Sequence, residues 1–327
     1  MKLLRRIAFA GAAAGALYAA ASYLAARKLA ERLISPTGLG PTPGRSDADA
    51  LRAALSREGA IVEEIRHAGS SRSPAELVAI FASPGEAPTR PTILFLHGKG
   101  GAASEWEPDA IRALRLGWNV LLPDLRGHGG SGGEFFTLGL LERDDLEALI
   151  AEAVRRFGVD AGRIGIHGCS AGSSVALQFA AGRTGLRAVW LESPFARSRE
   201  MAQHYLSRAT KIPKPLLWLT TEWAVARAVR RIRRELGATR DAGGIERIDP
   251  LAAAYRLQCP AALVYGGEDR LVPARFTERL AAALPPGSVV WRVPGAGHCH
   301  HDDEPVRRAR EIYEARWEEF FRTNLEA

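Results

Sequence analysis

Cysteine is scarce in this chain. Three in 327 residues, Cys169, Cys259 and Cys299, are an odd number at wide spacing, which implies no disulfide framework and leaves the redox compartment open. Internal repeats are missing, as is any low-complexity tract beyond an N-terminal alanine run, so repeat arrays are excluded. A basic stripe is missing too: the formal charge of +7 comes mostly from scattered arginines, which leaves no nucleic-acid footprint. The local exception is the arginine-rich run "ARAVRRIRRELGATR" at 226–240. What the chain has is apolar residues, 46% of the total, enough for one large domain with a small addition.

The N-terminus carries the longest uncharged run, Ile7 to Ala26, with Lys2, Arg5 and Arg6 before it and Arg27 and Lys28 after it. Such a run is about the length of one membrane-spanning helix. Eleven of its twenty residues are alanine, so it is only weakly apolar, and Ala19-Ala20-Ala21 also has the form of a signal-peptidase site. Residues 1–34 are therefore expected to be an uncleaved single-pass anchor. The alternatives are a cleaved signal, giving a secreted or periplasmic product, and a soluble amphipathic tail. Residues 35–60 follow as a linker, and its "SPTGLGPTPGRSDA" stretch reads as an extended tether.

Beyond it, eight short apolar runs predict strands: "IVEEI", "ELVAIF", "TILFL", "NVLLP", "RIGIH", "AVWLE", "AALVYG" and "SVVWRV". The later ones are nearly continuous in hydrophobicity, as strands buried on both faces must be, and helical patterns such as 139–157 separate them. The expected fold class is α/β, with a mostly parallel eight-stranded sheet flanked by helices and preceded by an antiparallel pair. The gap at 195–250 is too long for a simple crossover and predicts a helical cap insertion. It divides the core into residues 61–194 and 251–327. The cap's "LLWLTTEW" either packs on the core or lines an acyl pocket and touches lipid headgroups.

Chemistry concentrates in four places. "RIGIHGCSAGSS" holds a G-x-S-x-G pentapeptide around Ser170 between a strand and a helical pattern. Its glycines permit a turn sharp enough to lift the serine hydroxyl clear of the sheet. "FLHGKGGAAS" has two readings. Gly98 to Ala103 fits G-x-G-x-x-A with Asp124 ending the next strand, as in a dinucleotide site; alternatively the loop offers the Lys99 N–H beside that of Ala171 as an oxyanion hole. Only the second explains Ser170. "VYGGEDRLVP" offers Asp269, with Glu268 as rival, and "PGAGHCHHDDEP" offers His298 within a dense cluster of potential metal ligands. Neighbouring residues in an extended loop point alternately, and no second ligand pair stands out, so no metal is expected.

In this order "LHGKGG", "LLPDLRGHGGSGG", "GCSAG", "VYGGEDRLVP" and "GAGH" resemble the α/β-hydrolase superfamily, in particular its membrane-anchored bacterial serine hydrolases, similar to esterases, lipases and acyl-peptide hydrolases. The resemblance covers roughly residues 60–320. It implies a catalytic triad of Ser170, Asp269 and His298, an oxyanion hole from Lys99 and Ala171, no cofactor and no metal. It also implies a structural His128 and a loop-shaping Asp124. The expected activity is hydrolysis of an ester, thioester or amide in a small-molecule or lipid-like acyl substrate. Nucleic acid is not expected as a partner; a membrane is, through the N-terminal helix. A dinucleotide-dependent oxidoreductase on the Gly98 loop and a non-catalytic binding module on the same fold are the competing readings.

Overall fold

All eight apolar runs become strands of one sheet in the computed structural model, which describes residues 2–36, 45–69, 74–85, 89–235, 248–299 and 310–326. The strands are β1 Ile61–His67, β2 Leu77–Ser83, β3 Thr92–Leu96, β4 Asn119–Asp124, β5 Ile164–Cys169, β6 Leu186–Glu192, β7 Ala261–Gly266 and β8 Val289–Val293. Their spatial order is β1-β2-β4-β3-β5-β6-β7-β8. The β1–β2 and β2–β4 pairs are antiparallel and the remainder parallel. Hydrophobic continuity has the expected cause: β2, β3, β4, β5 and β7 are buried along their whole length. The two edges differ. β1 alternates in exposure, and Val289 and Val290 of β8 stand open to solvent.

The pleat sends alternate residues into two separate cores. Leu94 and Leu96 of β3, with Leu263 of β7, enter one beneath helices α4 (Glu142–Phe157), α5 (Ala171–Ala180) and α8 (Pro250–Ala254). Ile93, Phe95 and Val264 enter the other, where Trp106, Trp118, Trp317 and Phe321 form an aromatic layer with α3 (Glu107–Arg115) and α10 (Arg310–Leu325). Helix α4 begins three residues after its apolar pattern does. The Glu142 carboxylate turns back and accepts hydrogen bonds from the N–H and hydroxyl of Thr137 and the N–H of Gly139, which fixes residues 137–141 as a cap.

The predicted linker differs in structure. Residues 45–57 form helix α2 (Arg45–Arg57), and Leu51 and Leu55, one turn apart, are fully buried in the aromatic core. An amphipathic helix with only a narrow apolar stripe is hard to tell from a polar tether by composition. Residues 37–44 lie outside the described residues.

The chain divides into two units: Ser35–Arg197 with Glu246–Ala327, which holds the sheet, and Met1–Ile34 with Ser198–Ile245. In the second unit α1 (Lys2–Ile34) joins α6 (Ser198–Thr210) and α7 (Trp218–Glu235). The stretch Phe9–Ile34 of α1 is long and apolar enough to cross a membrane. Helices α1 and α7 run parallel in a fixed offset. Tyr18 Oη donates to the Leu216 carbonyl at 2.9 Å, Tyr23 meets Trp223 edge to face at 5.9 Å, and Glu31 pairs with Arg231. Ala26, Leu29 and Ala30 of α1, with Ala224, Ala228 and Ile232 of α7, are buried in this unit. Nearer the N-terminus Phe9, Leu17 and Leu24 are exposed.

Candidate active site

Ser170 sits between the end of β5 and the first turn of α5 with φ 53° and ψ −114°. That is a costly backbone for a residue with a side chain, and it persists only where the surroundings over-determine it. They do. The Ser170 N–H donates to the Glu192 carbonyl of β6 at 2.8 Å, and the Ser173 hydroxyl reaches the carbonyls of Gly168 and Glu192 at 2.7 and 2.9 Å. The flanking glycines are required by close approach. A Cβ on Gly168 would lie 2.8 Å from the Gly172 carbonyl oxygen, and one on Gly172 would lie 2.2 Å from that of Leu96.

The hydroxyl so presented meets two groups from elsewhere in the chain. Ser170 Oγ is 2.9 Å from His298 Nε2, and His298 Nδ1 is 2.7 Å from Asp269 Oδ2. Asp269 lies in the turn after β7, and its other oxygen, Oδ1, accepts the N–H groups of Leu271 and Val272, both at 2.8 Å. Burial pushes its pKa up, but the hydrogen bond and charge of His298, with the Val272 N–H and the Ser193 hydroxyl, outweigh burial and hold it below 3.8. An ionised Asp269 can only accept, so His298 Nδ1 carries the proton and Nε2 is left as the acceptor for the serine hydroxyl. Glu268, its neighbour, is exposed and donates only its backbone N–H, to the Ala296 carbonyl.

The loop after β3 lies against Ser170: a Cβ on Gly98 would touch that of Ser170 at 3.5 Å. The Gly101 N–H closes a tight turn onto the Gly98 carbonyl, with Lys99 as the turn's second residue. Two buried histidines brace it. His97 Nδ1–H donates to the Gly98 carbonyl at 2.7 Å while Nε2 accepts the Leu125 N–H; His128 Nε2 accepts the Gly100 N–H at 3.1 Å while Nδ1–H donates to the Arg126 carbonyl. Burial and the neighbouring His128 lower the His97 pKa to about 3, so the brace is neutral. Asp124 gives its carboxylate to the N–H groups of Ala103 and Gly130 at 2.8 and 2.7 Å. It is buried and committed to shaping two loops, which removes the acidic partner that a dinucleotide ribose would need. Lys99 is half-buried, and burial lowers its ammonium pKa to about 8. Ala171 is the first residue of α5, next to Ser170.

Three features were not visible in the sequence. His97 is one, the only hint being its place beside Gly98. Ser193 is another: fully buried at φ 44°, it donates to Asp269 and accepts the Cys299 N–H at 3.2 Å, joining the Asp269 and His298 loops. The third is a Cys169–Cys299 disulfide, whose Cα atoms are 6.2 Å apart, formed by the residue before Ser170 and the residue after His298. A disulfide sulfur has no thiolate to give a metal. His300, His301, Asp302 and Asp303 lie outside the described residues.

Comparison with known proteins gives the same picture. The uncharacterized protein YqkD of Bacillus subtilis is 31% identical over 170 residues, and the match spans 51% of this chain and 51% of that one. The Pyrococcus furiosus esterase Pf2001 superposes with a TM-score of 0.62 at 21% identity, covering 83% of this chain and 94% of the esterase. The acylaminoacyl peptidase of Pyrococcus horikoshii superposes with a TM-score of 0.59 at 19% identity, over 81% of this chain and 42% of the peptidase. At such identities the two structures share a fold with this chain and no more. Residues 93–311, well over half of the chain, match the profile of the alpha/beta hydrolase family. With the strand order and the β5–turn–α5 elbow already in place, that match identifies the chain as a member of the α/β-hydrolase family.

Proposed function

We propose that this α/β hydrolase is a serine hydrolase that works through an acyl-enzyme on Ser170. The observation that carries the reading is the chain of contacts from Ser170 Oγ through His298 to Asp269, 2.9 and 2.7 Å long, made by residues from three separate turns. In the first step His298 Nε2 takes the hydroxyl proton as Ser170 Oγ attacks the carbonyl of an ester, thioester or amide. Asp269 orients the ring and stabilises the imidazolium. The N–H groups of Lys99 and Ala171 hold the oxyanion, with the positive end of α5 behind them. His298 then gives the proton to the leaving group, and water, activated by the same histidine, releases the acid.

The esterase and peptidase neighbours support acyl transfer and leave the leaving atom open between oxygen, sulfur and nitrogen. Replacing Ser170 by alanine is expected to abolish both ester turnover and labelling by a fluorophosphonate probe. Turnover that survives the substitution, or a probe adduct on another residue, would sink the assignment.

The same reading places the enzyme on a membrane. The exposed Phe9, Leu17 and Leu24 of α1 suit a bilayer, and the parallel α1–α7 pair begins at Tyr18, beside Leu216. Exposed Ile212, Leu216 and Trp218, flanked by Lys211 and Lys214, would then lie at the headgroup level, where tryptophan and lysine are favoured. A lipid-like acyl substrate is the class that fits such a placement.

A further inference from the structure

The disulfide is placed where no general fold staple needs to be. Cys169 ends the central strand β5 and Cys299 follows the loop after β8, the far edge of the sheet, with β6 and β7 between them. One covalent bond therefore crosses the two strands that separate nucleophile from base. The nucleophile turn is fixed by backbone hydrogen bonds to β6. The His298 loop leaves an edge strand with exposed residues; the Glu268 N–H ties it at the Ala296 carbonyl at 2.9 Å, and past His298 the Cys299 backbone, at φ 47°, gives its N–H to the Ser193 hydroxyl. His298 itself is held by Asp269 and by Ser170, the groups whose geometry it must serve. Small displacements matter here: a shift of about 1 Å in a catalytic group can cost roughly a hundredfold in rate.

We propose that the Cys169–Cys299 disulfide is a positioning device for hydrolysis. It holds the His298 loop against the Ser170 turn, so that a dithiol reductant slows acylation while the fold stays intact. The inference rests on Ser170 as the nucleophile. The chemistry is thiol–disulfide exchange. A reductant thiolate attacks one cysteine sulfur and expels the other as a thiolate, and the reductant's second thiol resolves the mixed disulfide. The protein gains two electrons and two protons, and the dithiol is oxidised to its own disulfide. Cys299 is partly exposed and within reach of a small reductant, whereas Cys259 is a buried thiol whose pKa burial raises to about 11. Because thiol pools keep such pairs reduced in the cytosol, the working form belongs in an oxidising compartment.

The test uses the full chain in detergent, before and after dithiothreitol, with iodoacetamide and peptide mass spectrometry to count free thiols. Labelling by a fluorophosphonate is followed for both rate and endpoint. On reduction the labelling rate and kcat for a p-nitrophenyl ester should fall by roughly ten- to a hundredfold, with KM, far-ultraviolet circular dichroism and the labelling endpoint unchanged. Reoxidation should restore the rate. The double variant Cys169→Ser/Cys299→Ser should show the reduced rate and ignore dithiothreitol, and Cys259→Ala should behave as wild type. A reduced, alkylated enzyme at full rate overturns the proposal, as does finding both thiols free in the air-oxidised protein. Loss of endpoint and circular dichroism together with rate overturns it in favour of a plain fold staple. Oxidised protein that fails to label at Ser170 would instead bring down the hydrolase reading itself.

Discussion

The Ser170 end of the site and the His298 end are built in different ways. Ser170 stands over the middle of the sheet, in a turn locked by backbone hydrogen bonds and by glycines that admit no Cβ. His298 follows the edge strand β8: the Glu268 N–H ties its loop at Ala296, and beyond that side chains locate the ring, Asp269 directly, with Ser193 and a disulfide acting by way of Cys299. On the proposed mechanism, the group that attacks one atom is set in rigid backbone, and the group that trades protons with two partners is held chiefly by side chains.

Four substitutions test these assignments, and the first acts on the rigid end. Gly172→Ala drives a Cβ to 2.2 Å from the Leu96 carbonyl oxygen, backbone against backbone. It should cost about 3 kcal/mol of stability, read as a lower urea midpoint; an unchanged midpoint would show that the turn is softer than described. At the adjustable end Asp269→Asn should leave the fold intact and lower kcat by roughly 10⁴-fold, because an amide can no longer fix the His298 tautomer.

The pH dependence of that carboxylate has a definite sign. Its folded pKa lies below the ordinary 3.8, so its contribution to stability is complete above that value and is lost as pH falls through the lower folded one. Wild type and Asp269→Asn should therefore converge in urea midpoint towards strong acid; a gap that widens there would contradict the assignment. Ser193→Ala removes one hydrogen bond to Asp269 and one from Cys299. A tenfold loss in kcat, about 1–2 kcal/mol, with KM steady, is the expected reading, and an unchanged kcat would reduce Ser193 to a packing residue. The smallest effect belongs to the helical unit. Trp218→Phe should partly relieve quenching of tryptophan fluorescence by brominated lipids in reconstituted protein, and identical quenching would remove Trp218 from the bilayer surface.

Much of this was legible in the sequence, and the reasons are physical. Strands buried on both faces must be continuously apolar, so β2 to β7 announced themselves. A serine between two glycines, after a strand and before a helix, has few other uses, and the three residues that the motifs nominated are those that meet within hydrogen-bond distance. The hidden features depend on tertiary proximity. Cys169 and Cys299 are 130 residues apart, and nothing in either neighbourhood points to the other. Ser193 is an ordinary serine until the fold puts it between two loops. Helix α2 is hidden by its polar majority, since Leu51 and Leu55 are its only large apolar side chains. The pairing of α1 with α7 is not legible because alanines such as Ala26, Ala30, Ala224 and Ala228, which mark no face by themselves, make up much of the buried surface.

The two histidines behind the Lys99 turn carry a consequence for acid tolerance. Each accepts a backbone N–H on one ring nitrogen and donates from the other, so neither has room for a second proton without breaking the brace. His97 resists protonation down to about pH 3, whereas in an unfolded chain it would titrate near 6.5. Unfolding between these values therefore takes up a proton at His97, and the stabilisation, whole above 6.5, drains away as pH falls towards 3. Acid thus weakens the fold through the same contacts that shape the Lys99 turn.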